Sequence, residues 1–126
     1  MGYRSNLVAL IYPDTETKAE DKEPYEALKT LMNTAFKEVA DTFHDDMTWV
    51  DGSSCLKFDI RDAKWYESYP EVQAFDRMME FFRDAEHGYC TEFIRIGEDA
   101  DDVETSDSGH YVVGFMHVRR EIECDV

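Results

Sequence analysis

An α+β domain is the fold class this sequence predicts, and three observations carry the prediction. Five consecutive apolar residues, Leu7 to Ile11, read as a strand buried on both sides. Two later segments repeat apolar residues at three- and four-residue spacing, as helices with one buried face do. Two further segments flank Asp51-Gly52, a favoured hairpin pair, and the second of them alternates apolar and polar residues.

Taken in order, the first strand spans Tyr3 to Tyr12 and is central in its sheet, because both parities are apolar. Pro13 and the polar run Asp14 to Lys22 end it in an exposed loop. Pro24 suits the first turn of a helix, and Tyr25, Leu28, Leu31, Met32, Ala35, Phe36 and Val39 continue that helix as one apolar stripe. Met47 to Val50 and Ser54 to Arg61 form the hairpin, with Leu56, Phe58 and Ile60 on one face and Lys57, Asp59 and Arg61 on the other. An aromatic corner, Lys64-Trp65-Tyr66, precedes Tyr69-Pro70 and a second helix that buries Val72, Phe75, Met78, Met79 and Phe82 and closes near Gly88.

Tyr89 to Ile96 then reads as a strand, Gly97 to Gly109 as an acidic loop, and Tyr111 to about Ile122 as a last strand. The order β-α-β-β-α-β-β lets two helices cover one face of a sheet. It predicts a ferredoxin-like two-layer sandwich with an added C-terminal strand, built as a single domain over residues 1–126. Apolar residues on both faces of the first and last strands leave the second sheet face needing cover, which a homodimer or a protein partner could provide.

Charge limits the partners. Twenty-nine acids face thirteen bases, for a formal net charge of -16. Binding bare nucleic acid depends on Lys and Arg releasing phosphate counterions, so direct nucleic-acid binding is disfavoured and a basic protein is favoured. Six carboxylates and no base lie between Glu98 and Ser108: Glu98, Asp99, Asp101, Asp102, Glu104 and Asp107. With Trp65 and Tyr66, aromatics whose polar tips suit binding hot spots, these are the candidate partner-binding residues. The competing role for Trp65, Tyr66 and Tyr69 is to plug the corner between the sheet and the second helix.

No motif calls for a cofactor, a metal or a catalytic residue. Read from Asp99 as a calcium loop, the acidic run has Val103 at its fifth position, Glu104 in place of the turn glycine and His110 in place of the closing Glu. His44, His87, His110 and His117 form no HxH or HExxH pair, and neither a GxSxG elbow nor a P-loop is present. Cys55, Cys90 and Cys124 are odd in number and widely spaced, which fits a reducing compartment, and Cys55 reads as a core residue. No apolar run is long enough for a membrane span. The opening MGYRSNLVAL lacks the apolar core and cleavage site of a secretory signal, so a cytoplasmic location is expected.

Three stretches, MGYRS, KWYESYPEVQ and EFIRIGED, resemble a group of small proteins of bacteriophages and prophages. The likeness brings no reaction with it. It implies a viral gene product acting in the host bacterial cytoplasm, and the matching positions are Arg4, Trp65, Tyr66, Arg95, Gly97, Glu98 and Asp99. Arg4 and Arg95 are also expected to pair with carboxylates and so relieve the repulsion among so many acids.

The reading that follows is a non-enzymatic interaction protein that inhibits or redirects a basic host protein, itself a candidate nucleic-acid handler. The alternatives are a metal-dependent hydrolase of nucleotides or nucleic acid, with Asp59, Asp62, Glu98 and Asp102 as ligands, and a virion structural or assembly subunit. Because salt at about 0.1 M and above screens repulsion beyond about 10 Å, the melting temperature should rise with NaCl. Calorimetry from low to moderate salt checks this, and a fall would mean that local ion pairs outweigh the net repulsion.

Overall fold

The computed structural model describes residues 3–14, 23–50, 55–99, 101–109, 116–118 and 122–124. Its strands are β1 (Ser5–Pro13), β2 (Met47–Val50), β3 (Cys55–Ala63), β4 (Tyr89–Gly97), β5 (Val103–Ser108), β6 (Met116–Val118) and β7 (Ile122–Cys124). Its helices are α1 (Glu23–Asn33), α2 (Lys37–Thr42) and α3 (Pro70–Arg83). Every side chain of β1 from Leu7 to Tyr12 is buried, which a strand achieves only with neighbours on both sides and cover on both faces. β1 is accordingly the middle strand of a five-stranded sheet of order β2-β3-β1-β4-β5, in which every pairing is antiparallel. An α+β class follows.

Alternation along the strands divides the core. Leu7, Ala9 and Ile11 join Leu56, Phe58, Ile60, Tyr89 and Phe93 on the face that receives Leu28 and Met32 of α1, Val39 of α2, and Phe75, Met78, Met79 and Phe82 of α3. Phe75 sits at the centre of this layer, with ring centroids 5.3 Å from Phe58, 5.2 Å from Trp65 and 5.6 Å from Phe43. Val8, Leu10 and Tyr12 point to the opposite face, among Cys55, Cys90, Ile94, Ile122 and Cys124. Ile122 and Cys124 come from β7, which pairs with β6 as a separate two-stranded ribbon. The cover expected from a dimer or a partner is thus supplied, in part, by the chain's own C-terminal ribbon.

Three expectations need correction. The first helix is not continuous. The Thr34 hydroxyl donates to the Thr30 carbonyl at 2.8 Å, and the Phe36 N–H reaches back five residues to the Leu31 carbonyl, so the helix loosens at residues 34–36 and restarts at Lys37. The break turns Phe36 onto Phe81 and Phe82.

The acidic stretch expected to be a loop contains β5. A tight turn, in which Asp102 N–H bonds the Asp99 carbonyl and Gly97 N–H bonds the Asp102 carbonyl, returns the chain beside β4 with Ile96 opposite Val103 and Thr91 opposite Ser108. The added strand of the sheet is therefore β5. The last strand, expected from Tyr111 to about Ile122, is instead the β6–β7 pair. Arg119, Arg120 and Glu121 separate the two in sequence, three consecutive charges across which no alternation continues. Residues 111–115 and 119–121 of that expected strand lie outside the described residues, as do the Asp51-Gly52 turn and residues 15–22 of the first loop. The hairpin arms do pair, Val50 with Cys55.

Among the described residues no helix is long and apolar enough to cross a membrane. Phe75→Ala should lower unfolding free energy by about 3–5 kcal/mol, because neighbouring rings cannot close the space it leaves. Urea denaturation checks this, and a loss below about 1 kcal/mol would show that Phe75 does not centre the layer.

Candidate functional site

At the end of the sheet where β1 begins and β4 ends, three distant stretches meet. The sheet register brings them together, since Ser5 lies opposite Gly97 on β4 and opposite Ala63 on β3. One residue is extra on β3 here, and Asp62 takes a left-handed φ of 53°. Asn6 Oδ1 accepts the Asp62 N–H at 2.7 Å, and the Asp62 carbonyl accepts from Arg4 Nη1 at 2.9 Å. Beyond this bulge Tyr66 reaches the Tyr3 backbone while Trp65 packs into the corner against Phe43 and Phe75.

Arg95 is the hub. It lies on the helix-facing side of β4 and is only 9% exposed. Nη1 donates to Asp102 Oδ2 at 3.1 Å and to Ser5 Oγ at 3.0 Å. Nη2 donates to Asp102 Oδ1 and Glu104 Oε1, each at 2.6 Å, and Nε to Glu104 Oε1 at 3.1 Å. A guanidinium has five N–H donors, and here all five are used within the chain. The Asp102 hydrogen bond raises the Arg95 pKa above its already high value, despite the opposing cost of burial.

Tyr3 completes the knot. Its hydroxyl donates to Asp102 Oδ2 at 2.7 Å and accepts the Asp99 N–H at 3.0 Å, while its own N–H donates to the Tyr66 hydroxyl at 2.6 Å. Hydrogen bonds from Arg95 first and Tyr3 second hold the Asp102 carboxyl below the usual range, and the bond to that carboxylate raises the Tyr3 phenol. Gly97 is required by close approach, since a Cβ there would collide with the Asp102 carboxylate and the Tyr3 hydroxyl. Glu98 Oε1 accepts the Arg4 backbone N–H at 2.9 Å.

Beside this knot a groove of about 790 Å³ opens between α3 and β5. Trp65, Tyr66, Val72 and Phe93 give it apolar surface, and five carboxylates, Glu67, Asp76, Glu80, Asp102 and Glu104, line it against two guanidiniums, Arg83 and Arg95. Arg95 is paired with Asp102 and Glu104, so among the described residues lining the groove Glu67, Asp76 and Glu80 face only Arg83, and the groove is anionic. Asp76 sits on the exposed side of α3, yet protein crowds its carboxyl enough that burial pushes its pKa up, with Arg83 pulling the other way. The groove continues along β5 as a second hollow of about 680 Å³, bordered by Arg83, Phe93 and residues 103–107.

The structure thus draws Glu98, Asp99, Asp102, Glu104, Trp65 and Tyr66 to one end of the molecule. Asp101 is exposed in the turn beside them. Asp107 lies farther along β5, opposite Glu92, on the sheet side away from Glu104. Asp102 and Glu104 share the single positive charge of Arg95, so two of the six acids are bonded inside the fold. Arg4 and Arg95 do pair with carboxylates as expected. Trp65 fills the corner against Phe43 and Phe75 while also lining the groove.

Sequence reasoning missed Tyr3, Asp76, Glu80, Arg83 and Phe93. Tyr3 and Asp102 are 99 residues apart and carry no joint signal. Asp76, Glu80 and Arg83 do share a helix stripe at i, i+4 and i+7, but such a stripe is indistinguishable from an ordinary solvated face.

The four acids weighed as metal ligands each have a partner within the chain: Asp59 pairs with Arg61, Asp62 with the Arg4 side chain, Glu98 with the Arg4 N–H, and Asp102 with Arg95 and Tyr3. Among the described residues no three His, Cys, Asp or Glu side chains are grouped closely enough to hold a metal ion. Burial pushes the Cys55 thiol up to about 12, so at neutral pH it is protonated and unsuited to nucleophilic work.

Comparison of the chain with protein-family models, with curated proteins and with solved structures finds no match.

Asp102 stabilises the fold as a carboxylate whose folded pKa is depressed. Its contribution is complete above the ordinary carboxyl pKa and is lost as pH falls through the lower folded value. Asp102→Asn should therefore be less stable than the native chain at pH 7, with the gap narrowing below about pH 4. Paired urea titrations from pH 7 to pH 2 check this, and a gap independent of pH would remove the ionised Asp102 from the knot.

Proposed function

We propose that this chain is a non-enzymatic recognition protein that receives a basic protein in the groove between α3 and β5. One observation carries the reading: of the groove's five carboxylates only Asp102 and Glu104 are taken up by Arg95, which leaves Glu67, Asp76 and Glu80 against the single guanidinium of Arg83. An anionic hollow with aromatic walls attracts cationic side chains over long range and holds their stems by contact. The net charge of -16 works in the same direction by speeding encounter at low salt.

The likeness to bacteriophage proteins supplies the setting of this proposal: a viral product in the host bacterial cytoplasm that binds a basic host protein and inhibits or redirects it. The stretches behind that likeness all contribute to the knot beside the groove, through Tyr3 and Arg4, Tyr66, and residues of the segment Arg95 to Asp99. The ferredoxin-like reading of the fold belongs to the same proposal, supported by two helical crossovers within the order β2-β3-β1-β4.

The test is capture from host lysate on immobilised native chain and on the Glu67→Gln, Asp76→Asn, Glu80→Gln variant, at low and moderate salt. The expected result is a specific protein retained by the native chain at low salt, lost as salt rises and not retained by the variant. A partner held equally by both chains would move recognition away from the groove, and no specific partner at either salt would overturn the reading.

A further inference from the structure

We infer that β5 is a docking edge: an extended basic segment of the partner pairs with its backbone as a sixth strand, with cationic side chains toward α3. This rests on the reading above that the groove receives a cationic protein, and it names the form in which that protein enters.

Three observations converge on β5 apart from its charge. First, β5 ends the sheet, pairing with β4 alone among the described strands. The hollow beside it is bordered by five successive residues, Val103 to Asp107. Side chains of a strand alternate between faces, so five in a row border one hollow only where it runs against the strand's backbone. Second, Val103 is the one exposed large apolar side chain among the described residues, at 40%. Third, Ser106 Oγ is the one buried side-chain polar atom among them with no hydrogen-bond partner, and Ser106 borders the same hollow. An exposed apolar side chain, an unpartnered hydroxyl and a strand backbone that borders a hollow and pairs with no second described strand are what an absent neighbouring strand would leave behind.

Charge selects the occupant. Asp76 and Glu80 are one turn apart on α3, and Glu104 faces them from β5. A segment alternating cationic and apolar residues would direct every cation to that side, along an edge of roughly 20 Å. A second copy of this chain would instead bring Glu104 and Asp107 against their own kind, so self-pairing at this edge is disfavoured.

The probe is the peptide acetyl-(Arg-Val)4-amide, followed by amide shifts of the isotope-labelled full chain at low salt. Two further peptides carry N-methyl groups, on the Arg residues in one and on the Val residues in the other, so that each blocks the N–H groups along one edge while keeping the charge. The expected result is saturable binding with shifts concentrated in residues 103–108 and 76–83, and at least ~tenfold weaker binding for one methylated peptide only. Asp76→Asn with Glu80→Gln should weaken all three. Equal affinity of both methylated peptides with the parent would overturn strand pairing while leaving charge-driven recognition intact, and so would shifts elsewhere on the chain. Failure of the parent peptide to bind would overturn this inference alone if the lysate capture still yields a groove-dependent partner, and both readings if it does not.

Discussion

The saturated guanidinium of Arg95 is the constraint from which the rest of this end of the molecule follows. A strand as acidic as β5 should be repelled by a chain with so large an excess of negative charge, yet it forms a full ladder with β4. Arg95 makes this possible by taking two carboxylates at once, Asp102 in a bidentate pair and Glu104 across the ladder. Its burial is tolerated because no N–H is left without a partner. Ser5 and, through Asp102, Tyr3 attach the start of the chain to the same cation, so β1, β4, β5 and the aromatic corner are held by one charge.

The groove is the geometric consequence of that fifth strand. α3 packs its apolar stripe over the central strands, and the sheet continues past it to β5. The space between the flank of the helix and the outlying strand is lined by whatever each presents outward, which on both sides is acidic. The knot and the groove therefore have different roles: the first consumes carboxylates to build structure, and the second leaves carboxylates open to a visitor. Glu104 belongs to both, bonded to Arg95 yet 62% exposed in its side chain.

Much of the fold was legible in the sequence because it depended on periodicity. β1, the hairpin of β2 and β3, α3 and β4 all follow apolar patterns whose period sets which face is buried. The helix break at Thr34 was hidden because the apolar stripe continues through it, and the hydroxyl that loosens the turn leaves no mark on hydrophobic spacing. β5 was hidden because charge dominated its reading: in VETSDS neither parity is apolar throughout, and its pairing with β4 leaves no mark on hydrophobic spacing. Glu98, Asp99, Asp102, Glu104, Trp65 and Tyr66 were identified as a set, but their division into structural and solvent-facing groups depended on where Arg95 lay.

The sequence by itself determined the charge, the class of core and the elements that build it, since these are properties of composition and local spacing. Only the tertiary structure decided which acids are bonded within the fold, that β5 rather than the C-terminal segment widens the sheet, and that β7 lies against its second face. The physical reason is range. Periodicity acts over a few residues, whereas pairing Arg95 with Ser5, or Tyr3 with Asp102, needs contacts between parts of the chain 90 or more residues apart, and those exist only once the sheet has closed around β1.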